Sequence, residues 1–198
     1  MSLPFERIID DLVNQRWCVI PEFIPATLTS VLYSEAKHRY NNNGMHAAKI
    51  GKGQNQQLNT DYRGDAILWL DGSTEPQKAY LSILDELKNQ LNQNLYLGLN
   101  ELEAHYALYP PGTFYKKHLD SFKNNNLRRI TVLSYLNPSW CNEDGGELII
   151  YNSQNEIITS VLPKAGTFVC FVSEELPHEV ATTHAERASI AGWFRVRE

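Results

Sequence analysis

Apolar residues recur at helical spacing through the first third of the chain, then give way to short extended runs. Phe5, Ile8, Ile9, Leu12 and Val13 fall on one helical stripe. Trp17 to Ile20 reads as a short strand ended by Pro21. A second helix is predicted over 26–40, with Leu28, Val31, Leu32 and Ala36 as its stripe and Thr27 or Thr29 as its cap. Residues 41–60 carry NNNG and GKGQNQQ and form a polar loop, longer than the ~12–15 residues at which a loop invites explanation. Two readings stand for it: a surface loop, or a lid over a substrate. DAILWL at 65–70 reads as a strand closed by Asp71-Gly72. A third helix over 76–95 places Tyr80, Leu81, Ile83, Leu84, Leu87 and Leu91 on its apolar side.

From residue 101 the period changes. Strands are predicted at 101–109, 113–118, 129–136, 146–152, 156–162, 166–172, 178–183 and 188–197. Turn residues separate several of them, including Pro110-Pro111-Gly112, Asn137-Pro138, Asp144-Gly145-Gly146 and Pro163-Lys164-Ala165-Gly166. Eight such strands predict a mainly β member of the α+β class, a double-stranded β-helix or jelly roll, with the N-terminal helices supporting one face. The expected organisation is one domain over 1–198, with 1–100 as helical support and substrate-entrance loop and 101–198 as the jelly-roll core.

Composition narrows the partners more than the fold. A net charge of −5 gives no global electrostatic case for nucleic acid. Cys18, Cys141 and Cys170 are odd in number and lack C-x-x-C spacing, and Cys18 and Cys170 sit in apolar runs, which predicts free thiols in a reducing compartment. Glu6, Asp10 and Asp11 interrupt the first apolar stretch, so it does not read as a signal peptide. No run approaches the ~20 apolar residues of a membrane span. The expected location is the cytoplasm.

The candidate chemistry is a metal site. His118-Leu119-Asp120 follows a predicted strand, where side chains at i and i+2 share a side. His178 begins another strand after Pro177. Two imidazoles and one carboxylate make a facial triad suited to non-haem iron(II), with positions left for a bidentate oxo acid and dioxygen. His-x-Asp alone is a weak signal, usually a solvated turn. Arg187, nine residues beyond His178, strengthens it, because a guanidinium fork suits the distal carboxylate of 2-oxoglutarate. Tyr135 either donates its hydroxyl to that carboxylate or is a core tyrosine. His105, in phase with Ala107 and Tyr109, either faces the pocket or is a satisfied interior residue. His38, His46 and His184 are assigned to the surface or to structure.

These residues, with YPPGTFYKKHLD (109–120), RRITVLSYLN (128–137), GGELIIY (145–151), PHEV (177–180) and ERASIAGWF (186–194), resemble the prolyl 4-hydroxylase branch of the 2-oxoglutarate and iron(II)-dependent oxygenases. The likeness is greatest to the hypoxia-inducible-factor prolyl hydroxylases and their bacterial counterparts, and it covers about residues 60–195. It implies Fe(II) on His118, Asp120 and His178, and 2-oxoglutarate as cosubstrate on Arg187 and Tyr135. It further implies Tyr109 and Tyr115 lining the pocket, Trp193 packing beside it, and O2 and ascorbate as accessory reactants. TDYRGDAILWLDG (60–72) resembles the segment bordering the family's active-site entrance, which implies Arg63, Asp65, Trp69 and Arg128 along the substrate groove, with Asp65 paired to Arg128. Collagen-type relatives carry lysine at the position of Arg187. Ala191 stands where the hypoxia-factor enzymes have threonine, and the loop at 41–59 has little likeness to theirs.

The activity expected from this likeness is hydroxylation of a prolyl residue in a protein, with a translation factor as one partner that family analogy suggests. Two alternatives are carried: the same chemistry on a free amino acid, another small molecule or a nucleic-acid base, and a non-catalytic jelly roll that binds metal or 2-oxoglutarate as a sensor.

Overall fold

The computed structural model describes residues 3–49, 58–121 and 127–197. Among these, the helical stripes become α1 (Phe5–Gln15), α2 (Ala26–Asn41) and α3 (Glu75–Leu95). The extended runs become β1 (Trp17–Ile20), β2 (His46–Ala47), β3 (Ala66–Trp69), β4 (Glu101–Tyr109), β5 (Tyr115–His118), β6 (Arg128–Tyr135), β7 (Leu148–Tyr151), β8 (Ile157–Val161), β9 (Phe168–Val172), β10 (His178–Val180) and β11 (Arg187–Arg195). The eight strands predicted after residue 100 are β4 to β11.

They pair antiparallel into two layers. The larger sheet runs β1-β9-β6-β11-β4-β3-β2 and the smaller β5-β10-β7-β8. β4, β11, β6 and β9 facing β5, β10, β7 and β8 make the jelly roll, and β1, β3 and β2 extend the larger sheet at its two edges. Period-two alternation sorts the larger sheet's side chains. Ala104, Tyr106, Leu108, Ala188, Ile190 and Phe194 meet the helices. His105, Ala107, Tyr109, Arg187, Ser189 and Ala191 face a cavity between the sheets.

The helices bury their stripes against the outer face. Ile8 and Leu12 of α1, Leu32 and Ala36 of α2, and Tyr80, Leu84, Leu87 and Leu91 of α3 share one core with that sheet. Each fully buried side chain of this kind contributes ~1.5–3 kcal/mol. Tyr80 also donates a 3.0 Å hydrogen bond to Ser134 of β6, tying α3 to the sheet through a satisfied buried hydroxyl. Thr74 caps α3 by accepting from the Gln77 backbone N–H, and Pro76 follows at the position where a missing N–H is harmless.

Two expectations need correcting. Neither Thr27 nor Thr29 caps α2: the helix starts after Pro25 without a side-chain cap, and the Thr29 hydroxyl, already inside the helix, donates to the carbonyls of Ile24 and Pro25. The loop at 41–60 contains the two-residue strand β2, which pairs with β3 (His46 opposite Ile67, Ala47 opposite Ala66) and is too short to show a period. The lid reading of that loop falls mainly on residues 50–57, outside the described residues. Cys18 and Cys170 are free, buried and directly opposed across β1 and β9, and Cys141 is free and exposed. No helix among the described residues is long and apolar enough to cross a membrane.

Candidate metal centre

Strand register brings the two histidines together. His118 ends β5 and lies opposite His178 at the start of β10, with ring centroids 4.4 Å apart. Asp120 follows two residues later, beyond the strand end. One ligand atom from each of the three lies within 4.8 Å of the others. His118 Nε2 stands 3.5 Å from Asp120 Oδ1, and His178 Nε2 stands 3.4 Å from Asp120 Oδ2. The opposite ring nitrogens are already occupied: His118 Nδ1 is 2.7 Å from the Lys116 carbonyl and His178 Nδ1 is 3.1 Å from the Leu176 carbonyl. Carbonyls accept, so each Nδ1 carries the proton and each Nε2 lone pair turns inward, as metal-bound histidines require. The donor set and its orientation fit a divalent metal of the iron(II) kind.

Electrostatics agree. Burial pushes the His178 imidazole down to about 4, with His118 adding to the depression and Asp120 opposing it, so it is neutral and able to ligate at pH 7. Burial raises the Asp120 carboxyl, but His178 and His118 outweigh it and hold the group well below the usual carboxylate range. Behind Asp120, Ser173 and Thr131 form a hydroxyl chain: the Thr131 hydroxyl donates to Asp120 Oδ2 at 2.9 Å and lies 2.9 Å from Ser173 Oγ. Stacking fixes the His118 ring, with Tyr115 3.7 Å away and the Arg63 guanidinium 4.2 Å from the Tyr115 ring.

The cavity, about 860 Å³, extends inward from the metal ligands to Arg187. Arg187 is 1% exposed. Its Nε donates to the Gly146 carbonyl at 2.8 Å and its Nη1 to Ser189 at 3.2 Å, while Nη2 is buried without a partner among the described residues. Gly146 has φ +69, and a Cβ there would meet Arg187 Cδ at 3.1 Å, so this close approach needs glycine. The Tyr135 hydroxyl is likewise buried and unpartnered, with its ring 5.1 Å from the Arg187 guanidinium carbon and the Tyr109 ring 5.0 Å away. Burial pushes the Tyr135 phenol up to about 12, so it keeps its proton and remains a donor. An unpaired guanidinium N–H beside an unpaired phenol O–H at the end of a cavity is a fitting seat for a carboxylate.

The mouth differs from expectation in one pairing. Asp65 does not meet Arg128. It takes a two-pronged bond from Arg63, at 2.7 and 2.6 Å, and lies buried behind it rather than on the cavity wall. Arg128 instead donates to Glu103 at 2.7 Å and stacks 3.6 Å over the Trp193 ring. Side chains two residues apart on an extended segment share a side, which makes Arg63 the nearer partner. Arg63, Trp69, Leu119, Arg128 and Trp193 line the cavity. His105 faces the cavity as well. Sequence reasoning missed Thr131, Ser173, Ser189, Gly146 and Glu103, because supporting hydrogen bonds between distant strands leave no local pattern.

Comparison with known proteins follows the same lines. The family model for the 2OG-Fe(II) oxygenase superfamily matches residues 104–195. A Pseudomonas putida prolyl-4-hydroxylase is 37% identical over 98% of this chain and 100% of its own, with a TM-score of 0.88. A Trichoplax adhaerens prolyl hydroxylase, solved with a hypoxia inducible factor peptide fragment, is 27% identical over 96% of this chain and 88% of its own, with a TM-score of 0.86. The mouse prolyl 3-hydroxylase OGFOD1 is 36% identical over 76 residues, 34% of this chain and 14% of the length of that relative.

Proposed function

Because this chain belongs to the 2OG-Fe(II) oxygenase superfamily, we propose that it hydroxylates prolyl residues of a protein at C4, using His118, Asp120 and His178 to hold Fe(II) and Arg187 with Tyr135 to hold 2-oxoglutarate. One observation carries the reading: a ready His-Asp-His cluster and a pair of unsatisfied buried donors, Arg187 Nη2 and Tyr135 Oη, occupy one cavity. Iron(II) with 2-oxoglutarate and dioxygen would supply the oxidation, one oxygen atom entering the substrate C–H bond and the other the succinate that leaves with carbon dioxide.

The protein's own residues bind, orient and shield. Arg187 and Tyr135 anchor the distal carboxylate, and Ser189 holds the guanidinium in place. Thr131 orients the Asp120 carboxylate through its hydrogen bond. Leu133, Leu148, Val180 and Ala191 keep the cavity wall apolar, which limits water at the reacting end. Trp69, Tyr115 and Trp193 offer aromatic surface at the mouth. A prolyl segment suits such a groove because its fixed φ leaves little freedom to lose on binding. The prolyl substrates named for the Pseudomonas and Trichoplax proteins support the choice, and the mouse relative makes C3 the alternative position.

The same reading treats 1–198 as one working unit, since helices and sheet share a core. It includes ascorbate as an accessory reductant and a reducing, cytoplasmic setting, which the free cysteines suit. A translation factor is the protein substrate to try first, by family analogy. The test is incubation of the enzyme with Fe(II), 2-oxoglutarate, ascorbate and a proteome digest, followed by mass spectrometry and amino-acid analysis that separates 3- from 4-hydroxyproline. 4-Hydroxyproline dependent on 2-oxoglutarate is expected. Oxygen added only to other residues or to small molecules rejects the prolyl assignment, and no 2-oxoglutarate consumption at all favours the sensor alternative.

A further inference from the structure

The cavity holds a buried polar side chain to which the proposed reaction gives no task so far. His105 lies in the middle of β4, 3% exposed, with Nδ1 buried and without a hydrogen-bond partner among the described residues. Trp69 abuts it edge-on at 4.9 Å, and Trp193 lies 5.4 Å from it and 6.5 Å from Trp69, so two indoles crowd the imidazole. An apolar side chain would fill this position at less cost, as Ala107 does at the next cavity-facing position, because a buried unpaired polar nitrogen is destabilising.

Register places His105 level with the reaction centre. Its cross-strand row is Trp69, His105, Ala191 and Leu133, in which Ala191 and Leu133 bring no hydrogen-bonding side chain. The next row inward carries Ser189 and Tyr135 of the oxo-acid seat. The next row outward carries Thr131, which holds Asp120, and Trp193. A group bound at the level of His105 therefore lies between the cosubstrate anchor and the rim.

The chemistry of a prolyl segment suggests what that group is. Proline has no backbone N–H, so the polar groups it offers are carbonyl acceptors: its own and that of the preceding residue. The complement is a donor. Burial drives the His105 imidazole down to about 4, so at pH 7 the ring is neutral and carries one N–H. We propose that His105 is a substrate-orienting residue whose Nδ1–H donates to a backbone carbonyl beside the target proline, setting which C–H bond of the ring faces the metal. The proposal rests on the prolyl reading above.

The experiment compares wild-type enzyme with His105→Met, which keeps the volume without a donor, and His105→Asn, which keeps an N–H. Each is loaded with Fe(II) and 2-oxoglutarate and given the proline-containing proteome digest at graded concentration. In His105→Met the digest concentration for half-maximal hydroxyproline formation should rise about 10-fold, as expected for one lost hydrogen bond to a buried donor site. Iron content and KM for 2-oxoglutarate should stay unchanged, and succinate released per hydroxyproline should increase because misplaced substrate uncouples the reaction. His105→Asn should recover to within about 3-fold of wild type. Unchanged concentration dependence in His105→Met overturns the inference, as does equal loss in both variants accompanied by reduced iron content, which marks a packing role. If wild type forms no hydroxyproline from the digest, the prolyl reading fails and this inference with it; hydroxyproline formed with no effect of the substitutions sinks the His105 inference alone.

Discussion

The two ends of the cavity treat their polar atoms differently. At the metal end, both Nδ1 atoms face carbonyls and Asp120 Oδ2 accepts from Thr131, so the groups that aim the ligands are satisfied before any metal arrives. At the inner end, Arg187 Nη2 and Tyr135 Oη are buried with no partner among the described residues. An unmade hydrogen bond at a buried donor costs ~1–3 kcal/mol. The metal end is thus held by the protein, whereas the inner end is completed by what binds there. A metal needs lone pairs pointed from fixed rings, and a carboxylate needs open N–H and O–H groups.

The largest effect should come from removing a ligand. Asp120→Ala or His118→Ala should reduce 2-oxoglutarate turnover to background, because two remaining donors cannot hold the facial site; full turnover by either purified variant would refute the ligand assignment. Arg187→Ala should raise the 2-oxoglutarate concentration for half-maximal succinate release roughly 10–100-fold, from loss of a charge-assisted pair worth ~1.5–3 kcal/mol, with iron affinity unaltered. A matching loss of iron affinity would show that the two ends are not separable.

Thr131→Val removes the hydroxyl behind Asp120 while keeping its shape. Iron affinity, measured by competition with a chelator, should fall about 10-fold, with KM for 2-oxoglutarate little changed. A separate effect is on stability. His105 and His178 titrate at about 4 in the fold, against 6.5 when free of it. As pH falls below 6.5 the unfolded chain takes up protons that the folded protein refuses, so the metal-free protein loses stability down to about pH 4. Urea denaturation should show a loss of roughly 2 kcal/mol per buried imidazole between pH 7 and 5, and His105→Met should remove its share. An identical pH slope in that variant would show that His105 is not the neutral buried group described.

Legibility in the sequence followed the range of each interaction. The eight strands from β4 to β11 announced themselves because side-chain period and turn residues are local. The ligand pair His118 and Asp120 was visible as a two-residue spacing on an extended chain, and Arg187 by its place after His178. The partner of Asp65 was not. A carboxylate is equally compatible with any nearby cation, and the strand geometry that selects Arg63 over Arg128 exists only once β4 and β11 have set Glu103 beside Arg128. β2 escaped for a different reason: two residues carry no period.

Residue order alone settled the class of fold and the chemical types at the metal, since periodicity and donor identity are written one residue at a time. Convergence was decided by folding. Cross-strand register, which depends on how eight strands bury their faces together, put His178 opposite His118 and turned His105 into the cavity. Neither follows from any window of sequence, because the interactions that enforce them join residues dozens of positions apart.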